Sequence, residues 1–424
     1  MFSMDASKSN RVVVLGIGAF TQAMLRILAE EGGDVSAYLT RAYGHYGPRS
    51  EARCISVLDR PNPCDWLRKE PPSLIVPMSL EWALQSWTQE FLQLNLPFLC
   101  PTGEGLRLER ERDFARSLCD RFKIPFPRAH FVKTRAEADT LVRSERRPFV
   151  LKNPLCSPTS PIHTMVCETL EDTLAWLPRL DDSEGIFLQE YLGRREAGHI
   201  ALVSNGEIYP LVTNQEYKRA FDGNMGIVAG APLGGLIEQD PNDKYGLADQ
   251  LLAPLLPWFR ETNFHGPVQV TGIQYNGRWH VLEYNVRLGV TSGPMIARML
   301  KNPLETFRNC ARNESLNLQW RPGLTFGCNL TLAGYGYPFI QLTGPRVPIT
   351  VDGALACDIW WQEVESSPDG LIEATGHRLC DVAALAPTLP EAIERAYTTI
   401  RKIRSLGSYF RTDVGKSLWP PGHA

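Results

Sequence analysis

The chain has 424 residues, 43% hydrophobic and 21% charged, with 44 Lys and Arg against 47 Asp and Glu for a net charge of −3. A balance this close to neutral excludes the basic surface that nucleic acid or an anionic membrane selects, and the length calls for two or three domains rather than one core. The ten cysteines fall singly, without CxxC pairs or zinc-type Cys/His spacing, as reduced thiols do in a soluble cytoplasmic protein.

The polar start "MFSMDASKSN" carries no secretory pattern, and no apolar run approaches membrane-spanning length. "RVVVLGIGAFTQAMLRILAEEG" then reads as a buried strand, a glycine turn and an amphipathic helix with Met24, Leu25, Ile27 and Leu28 on its apolar side. Strands at 34–40 and 73–79, the latter followed by a helix, continue a strand–helix alternation that predicts a parallel sheet. Gly16 and Gly18 resemble a dinucleotide-binding turn. However, Thr21 replaces the third glycine and Thr40 stands near the place of the acidic ribose partner, so NAD is not expected. From 106 a charged helix leads into a strand-rich stretch with "PFVLKNP", the Ser/Pro loop "CSPTSP", and "GIFLQEYLG". A hairpin is predicted around Asn205-Gly206, a helix over 246–262, and a closing helix over 388–406. Trp82, Trp87, Trp360 and Trp361 are expected to pack in cores.

"HVLEYNVRLG" at 280–289 is the most informative strand. Alternation places Glu283, Asn285 and Arg287 on one face, and Leu282, Tyr284, Val286 and Leu288 on the other. Carboxylate and amide oxygens are ligands that Mg²⁺ prefers, and a nearby guanidinium stabilises a transferring phosphoryl group. A Glu283–Arg287 salt bridge on a solvated face is the alternative. Lys152 ends an apolar strand before a loop of small residues, as a phosphate-binding lysine would. Glu190 and Glu196 suit either a nucleotide site, at the base edge and the ribose, or a plain charged surface.

These pieces follow the chain order of the ATP-grasp superfamily. Within it, "CPTGEGLRLERERDFARSLCDRFKIPFP", "LQEYLGRREA", "NQEYKRAFDG", "VLEYNVRLG" and "GHRLCDVAALAPTLPEAIERAY" resemble motifs of the phosphoribosylamine–glycine ligase (glycinamide ribonucleotide synthetase) family, from about residue 10 to 415. The resemblance implies an α/β and α+β protein. It would have a Rossmann-like N-terminal domain at 1–105, an ATP-grasp core at 106–318 with a lid subdomain near 125–195, and a C-terminal α+β domain at 319–424. It implies ATP and Mg²⁺, with Mn²⁺ as a substitute. Glu283 and Asn285 would hold the metal, and Arg287 would face the acyl phosphate. Lys152 and Arg112 would meet ATP phosphates, Glu190, Tyr191 and Leu192 would line the adenine pocket, and Glu196 would bind the ribose. Lys218 would act at the phosphate or acyl group, with Arg219 beside it. Arg112 stands where the family has lysine, which keeps charge but changes its geometry.

Departures gather on the substrate side. The family's "GGREHA" turn reads "GIGAFTQA", putting Phe20 and Thr21 where charged groups meet phosphoribosylamine, and "GDPE" becomes Gly289-Val290-Thr291-Ser292. The glycine lid becomes "CSPTSP", whose Ser157 and Ser160 retain hydroxyl donors for phosphate. The expectation is therefore an ADP-forming carboxylate–amine ligase, acting through an acyl phosphate on an amino acid and a non-phosphosugar amine, with Phe20, Thr21, Arg219, Thr291 and Ser292 at the substrates. Small molecules are its expected partners, with no nucleic acid or membrane, and the chain acts as a monomer or homodimer. The alternatives are a phosphoribosylamine–glycine ligase of purine synthesis and a catalytically inactive ATP-grasp binding protein.

Overall fold

Val12, Val13 and Val14 are fully buried, as a strand covered on both faces requires, and they form the centre of a four-stranded parallel sheet. The computed structural model describes residues 10–156, 164–194, 196–334, 336–338 and 346–416. In it β1 (Arg11–Gly16) turns into α1 (Gly18–Glu30), and β2 (Asp34–Leu39), β3 (Arg53–Ser56) and β4 (Leu74–Pro77) complete the sheet in the order β3-β2-β1-β4. Gly18 has φ +65° and is overlain so closely that a Cβ would lie 2.1 Å from the Gln362 side chain, so the turn needs glycine twice over.

Helix α2 (Arg112–Phe122) leads to the segment expected as a lid, a separate antiparallel sheet in which β5 (Ala129–Val132), β6 (Phe149–Lys152), β7 (Thr164–Val166) and β8 (Ile186–Glu190) have the order β5-β8-β6-β7. The lid has its own small core, in which Phe149, Leu151, Ile186 and Leu188 pack under Ala138 and Val142. Next come β9 (Glu196–Ser204), β10 (Glu207–Glu216), the hairpin β11 (Arg219–Phe221) and β12 (Met225–Val228), then β13 (Gly234–Gln239), β14 (Gly266–Tyr275) and β15 (Arg278–Asn285). The predicted β9–β10 hairpin turns at Asn205 and Gly206, with φ of +50° and +68°. The helix predicted over 246–262 is instead two short helices, Leu247–Leu251 and Leu256–Glu261, divided where Pro254 and Pro257 cannot donate to the ladder.

Helix α3 (Ser292–Met299) follows β15. The last third of the chain then supplies β16 (Phe326–Ala333), β17 (Val347–Val351), β18 (Asp358–Trp361), β19 (Val364–Ser366), β20 (Ile372–Ala374), β21 (Arg378–Ala386), α4 (Leu389–Ile400) and β22 (Ile403–Ser405). Strands β16, β21 and β18 extend the central sheet to eight, in the order β15-β14-β9-β10-β13-β16-β21-β18. The boundary expected near 318 thus runs along a shared sheet. Trp82, Trp87 and Trp360 are buried in cores, whereas Trp361 is half-buried. Among the described residues no helix is long and apolar enough to cross a membrane.

Candidate active site

Within the β14–β15 pair the regular alternation of β15 breaks. Thr271 of β14 lies opposite Glu283, but the next residue, Gly272, lies opposite Val281, so Leu282 is an extra residue in the strand. The bulge corrects the period-two expectation. Val281 and Tyr284 both face the core, while Leu282, expected there, lines the cleft beside Glu283 and Lys152. Its carbonyl, freed from the ladder, accepts the Lys152 ammonium at 3.1 Å.

Glu283 collects cations from three directions. Lys218 Nζ is 3.0 Å from one carboxylate oxygen and Arg112 lies 3.6 Å from the other. Burial alone would raise the Glu283 carboxyl, but Lys218, Lys152 and Arg112 outweigh it and hold the group well below the usual carboxylate range. Lys218 also reaches Glu196 and Glu216, each at 3.7 Å. Those carboxylates overcome its burial and keep it firmly charged. Lys152 shows the opposite balance: burial, with Arg112 beside it, pulls its ammonium down to about 7. Arg112 is anchored at the start of α2 by the Asn153 carbonyl, 2.9 Å from Nε.

Arg287 pairs with Glu109 at 3.4 Å, not with Glu283, so the simple surface salt bridge between the two does not form. Glu109 is buried and its other oxygen accepts the Val286 N–H at 2.6 Å, which fixes the loop that carries the guanidinium. Burial raises the Glu109 carboxyl, opposed by Arg287. Neither Glu109 nor Glu216 was expected at the site. Each lies in a run of charged or polar residues that gives it no distinguishing spacing. Gln189 was also missed, although a glutamine in the apolar run "IFLQE" was a usable signal. It is fully buried and its amide approaches the Leu282 carbonyl at 3.4 Å, tying the lid to the bulge.

The expected nucleotide hinge joins the lid to the central sheet. The N–H groups of Glu190 and Tyr191 are committed to the Arg128 and Pro148 carbonyls, and the Glu190 carboxylate to Arg147. Glu196 opens β9 with its carboxylate near Lys218, whereas Arg219 turns away, donating to Glu168 at 2.8 Å and to the Gly226 carbonyl at 2.9 Å. Ser157 and Ser160 lie outside the described residues.

The residues expected at the substrates are placed differently. Phe20, Thr21, Thr291 and Ser292 are all buried, so none of the four offers an open surface. The Phe20 ring packs against Gly293, where a Cβ would sit 2.7 Å from it. Gln22, one turn along α1 from Gly18, donates to Glu51 at 2.9 Å and accepts the Trp361 N–H at 2.7 Å. The Gly18 N–H is bonded to the Gly44 carbonyl. The Thr21 Oγ1 atom at this turn, and the Gln269 Oε1, Thr271 Oγ1 and Ser292 Oγ atoms near the end of β15, are buried without a hydrogen-bond partner.

Oxygen donors for a hard divalent ion are therefore gathered: Glu283, Asn285, whose amide N–H is committed to the Tyr284 carbonyl, and the nearby Glu196 and Glu216. The donor set fits Mg²⁺. Another group, His199, Asp240 and Asp243, lies on the other face of β9. Its carboxylates are used internally, by Thr213 at 2.7 Å and by the N–H groups of Ala248 and Asp249.

The architecture has close counterparts. A phosphoribosylamine–glycine ligase of Thermotoga maritima superposes with a TM-score of 0.77 at 21% identity, covering 95% of this chain and 99% of that one. A biotin carboxylase–β,γ-ATP complex from Campylobacter jejuni gives 0.69 at 12% identity, covering 96% and 94%. The chain has the ATP-grasp fold. In sequence it is similar to the phosphoribosylamine–glycine ligase of Clostridium acetobutylicum, 24% identical over 429 residues, covering 96% of this chain and all of the relative. No protein-family model matches.

Proposed function

We propose that this ATP-grasp protein is an ADP-forming carboxylate–amine ligase that takes an amino acid as its carboxylate and a non-phosphosugar amine as its partner. The observation that carries the reading is the convergence of Arg112, Lys152, Lys218 and Glu283, drawn from helix, lid, core hairpin and metal strand, with Arg287 fixed alongside by Glu109. Packing alone does not call for so many charges in one cleft.

Glu283 and Asn285 would hold Mg²⁺, whose charge would offset that of the ATP phosphates when bound. Lys152 and Arg112 position those phosphates, Glu190, Tyr191 and Leu192 border the base, and Glu196 takes the ribose. The substrate carboxylate attacks the γ-phosphorus, the β–γ bridge bond breaks, and ADP leaves. Arg287 stabilises charge on the transferring group and then on the acyl phosphate. The amine attacks the acyl carbon, phosphate departs with the C–O bond electrons, and the amine nitrogen loses a proton. Glu216, whose charge acts on Arg287, is the carboxylate nearest at hand to pair with an α-ammonium group. Small molecules in the cytoplasm are the partners this reading implies.

A second reading is phosphoribosylamine–glycine ligase itself. The names of the relatives favour it, over nearly the whole chain. The committed groups at the start of α1 favour a different amine, because Phe20 fills the turn and the α1 N–H and Gln22 already have partners. ADP release measured across amino acids, amino acid pairs, and glycine with phosphoribosylamine separates the two. Turnover with a pair but not with phosphoribosylamine supports the first, and turnover only with phosphoribosylamine the second. ATP bound but never turned over by any combination would favour the inactive binding protein.

A further inference from the structure

We propose that Lys218 is the resident counter-cation of the metal site. In the nucleotide-free protein its ammonium occupies the space among Glu196, Glu216 and Glu283, and a divalent ion enters with ATP only as Lys218 leaves. The inference rests on the ligase reading and concerns how that site is loaded.

Three distances define the arrangement: Lys218 Nζ to Glu283 at 3.0 Å, and to Glu196 and Glu216 at 3.7 Å each. One ammonium thus faces three carboxylates on three strands or their ends, β9, β10 and β15. Among the ion pairs of the described residues, Glu196 and Glu216 have Lys218 alone, and Glu283 adds only Arg112. A divalent ion reaches carboxylate oxygen at roughly 2.0–2.1 Å. Taking the Glu283 oxygen that Lys218 holds would set two cations on one carboxylate oxygen, about 4–5 Å apart, a repulsion that the ammonium relieves by leaving.

The backbone around Lys218 is anchored, so any displacement of its ammonium falls to the side chain. Tyr217 donates its N–H to Gly234 O at 2.9 Å, and the Lys218 carbonyl accepts from Ala229 at 2.8 Å. Neighbouring Arg219 is tied to Glu168 and Gly226. What can move is the four-carbon stem of the lysine. The natural destination for the displaced ammonium is the incoming phosphate chain, since ATP brings the negative charge that the carboxylates surrender to the metal. Metal alone is then a poor ligand, and metal with nucleotide a good one. This coupling is reciprocal by linkage.

Mn²⁺ binding followed by electron paramagnetic resonance, without nucleotide, tests the proposal on the full chain. The wild type is expected to bind Mn²⁺ weakly and to tighten when ADP is added. Lys218→Met should bind one Mn²⁺ at least tenfold more tightly without nucleotide, and Lys218→Arg, which keeps the charge, should not. Adding Glu283→Gln to Lys218→Met should remove the gain. Unchanged or weaker Mn²⁺ affinity in a folded Lys218→Met protein overturns the proposal, as does a gain that survives Glu283→Gln. Failure of the wild type to bind ADP with Mn²⁺ would instead sink the ligase reading, whatever Lys218→Met does to the metal alone.

Discussion

Around Glu283, charged groups face one another with bonding capacity left over. Lys152 is held by a single carbonyl, Lys218 is shared among three carboxylates, and buried Gln269, Thr271 and Ser292 oxygens lack partners. Around the start of α1, most polar groups are closed on one another, the Thr21 Oγ1 atom being buried without a partner. Gly18 bonds Gly44, Gln22 bonds Glu51 and Trp361, and Phe20 packs against Gly293. Both regions are buried to similar extents, so burial does not distinguish them. The gathered charge does, because a site built for a charged ligand leaves ionised groups for it to satisfy.

The comparison is broken most directly at Arg287. Arg287→Ala is expected to lower ADP formation by about 10³-fold, the scale of removing a cation from a transferring phosphoryl group, while Mn²⁺–ADP binding stays within a few-fold. Because Ala would strand buried Glu109, Arg287→Lys serves as the companion. It keeps the charge and loses the planar fork, so a large activity loss in a protein of normal thermal stability assigns the effect to geometry. Full activity in both variants would mean that the charged cluster is structural too.

Phe20 tests the other half. If the α1 turn is core rather than substrate wall, Phe20→Ala costs about 3–5 kcal/mol of stability, read as a large fall in thermal midpoint, with KM for the amine unchanged at a temperature where the protein is folded. A shift in that KM with little loss of stability would reopen the turn as a binding surface and favour the phosphosugar reading.

The strand–turn–helix at 11–30 and the hairpin at Asn205-Gly206 were legible because hydrophobic periodicity and glycine placement are local properties of the chain. The addition of β16, β18 and β21 to the central sheet was not, since strand order is set by contacts far apart in sequence. The bulge at Leu282 was invisible for a related reason: strict alternation assumes a regular strand, and only the partner's register reveals the extra residue. Site residues followed the same division. Arg112 and Lys218, named only through the resemblance, lie with Lys152 around Glu283, whereas Glu109 and Glu216 became visible only through the charges they face. Phe20 and Thr21 were legible as departures from a motif, but not as packed side chains.

The smallest expected effect belongs to Lys152, and it probes the open region by its protons. The native ammonium sits near 7 against an ordinary 10.5, because burial and Arg112 disfavour its charge. The native state therefore holds fewer protons than the unfolded chain between those values, and the contribution of Lys152 to stability rises with pH across that window. ATP phosphates reverse the balance by favouring the charged form, so nucleotide binding draws in a proton above pH 7. Calorimetry in buffers of different ionisation enthalpy should show uptake approaching about one proton at pH near 8.5 and almost none near 6, with affinity falling at most about tenfold per pH unit above 7. Lys152→Arg, charged throughout, should abolish the pH-dependent uptake. Equal uptake in that variant would place the titrating group elsewhere and leave Lys152 no closer to phosphate than the closed groups around α1.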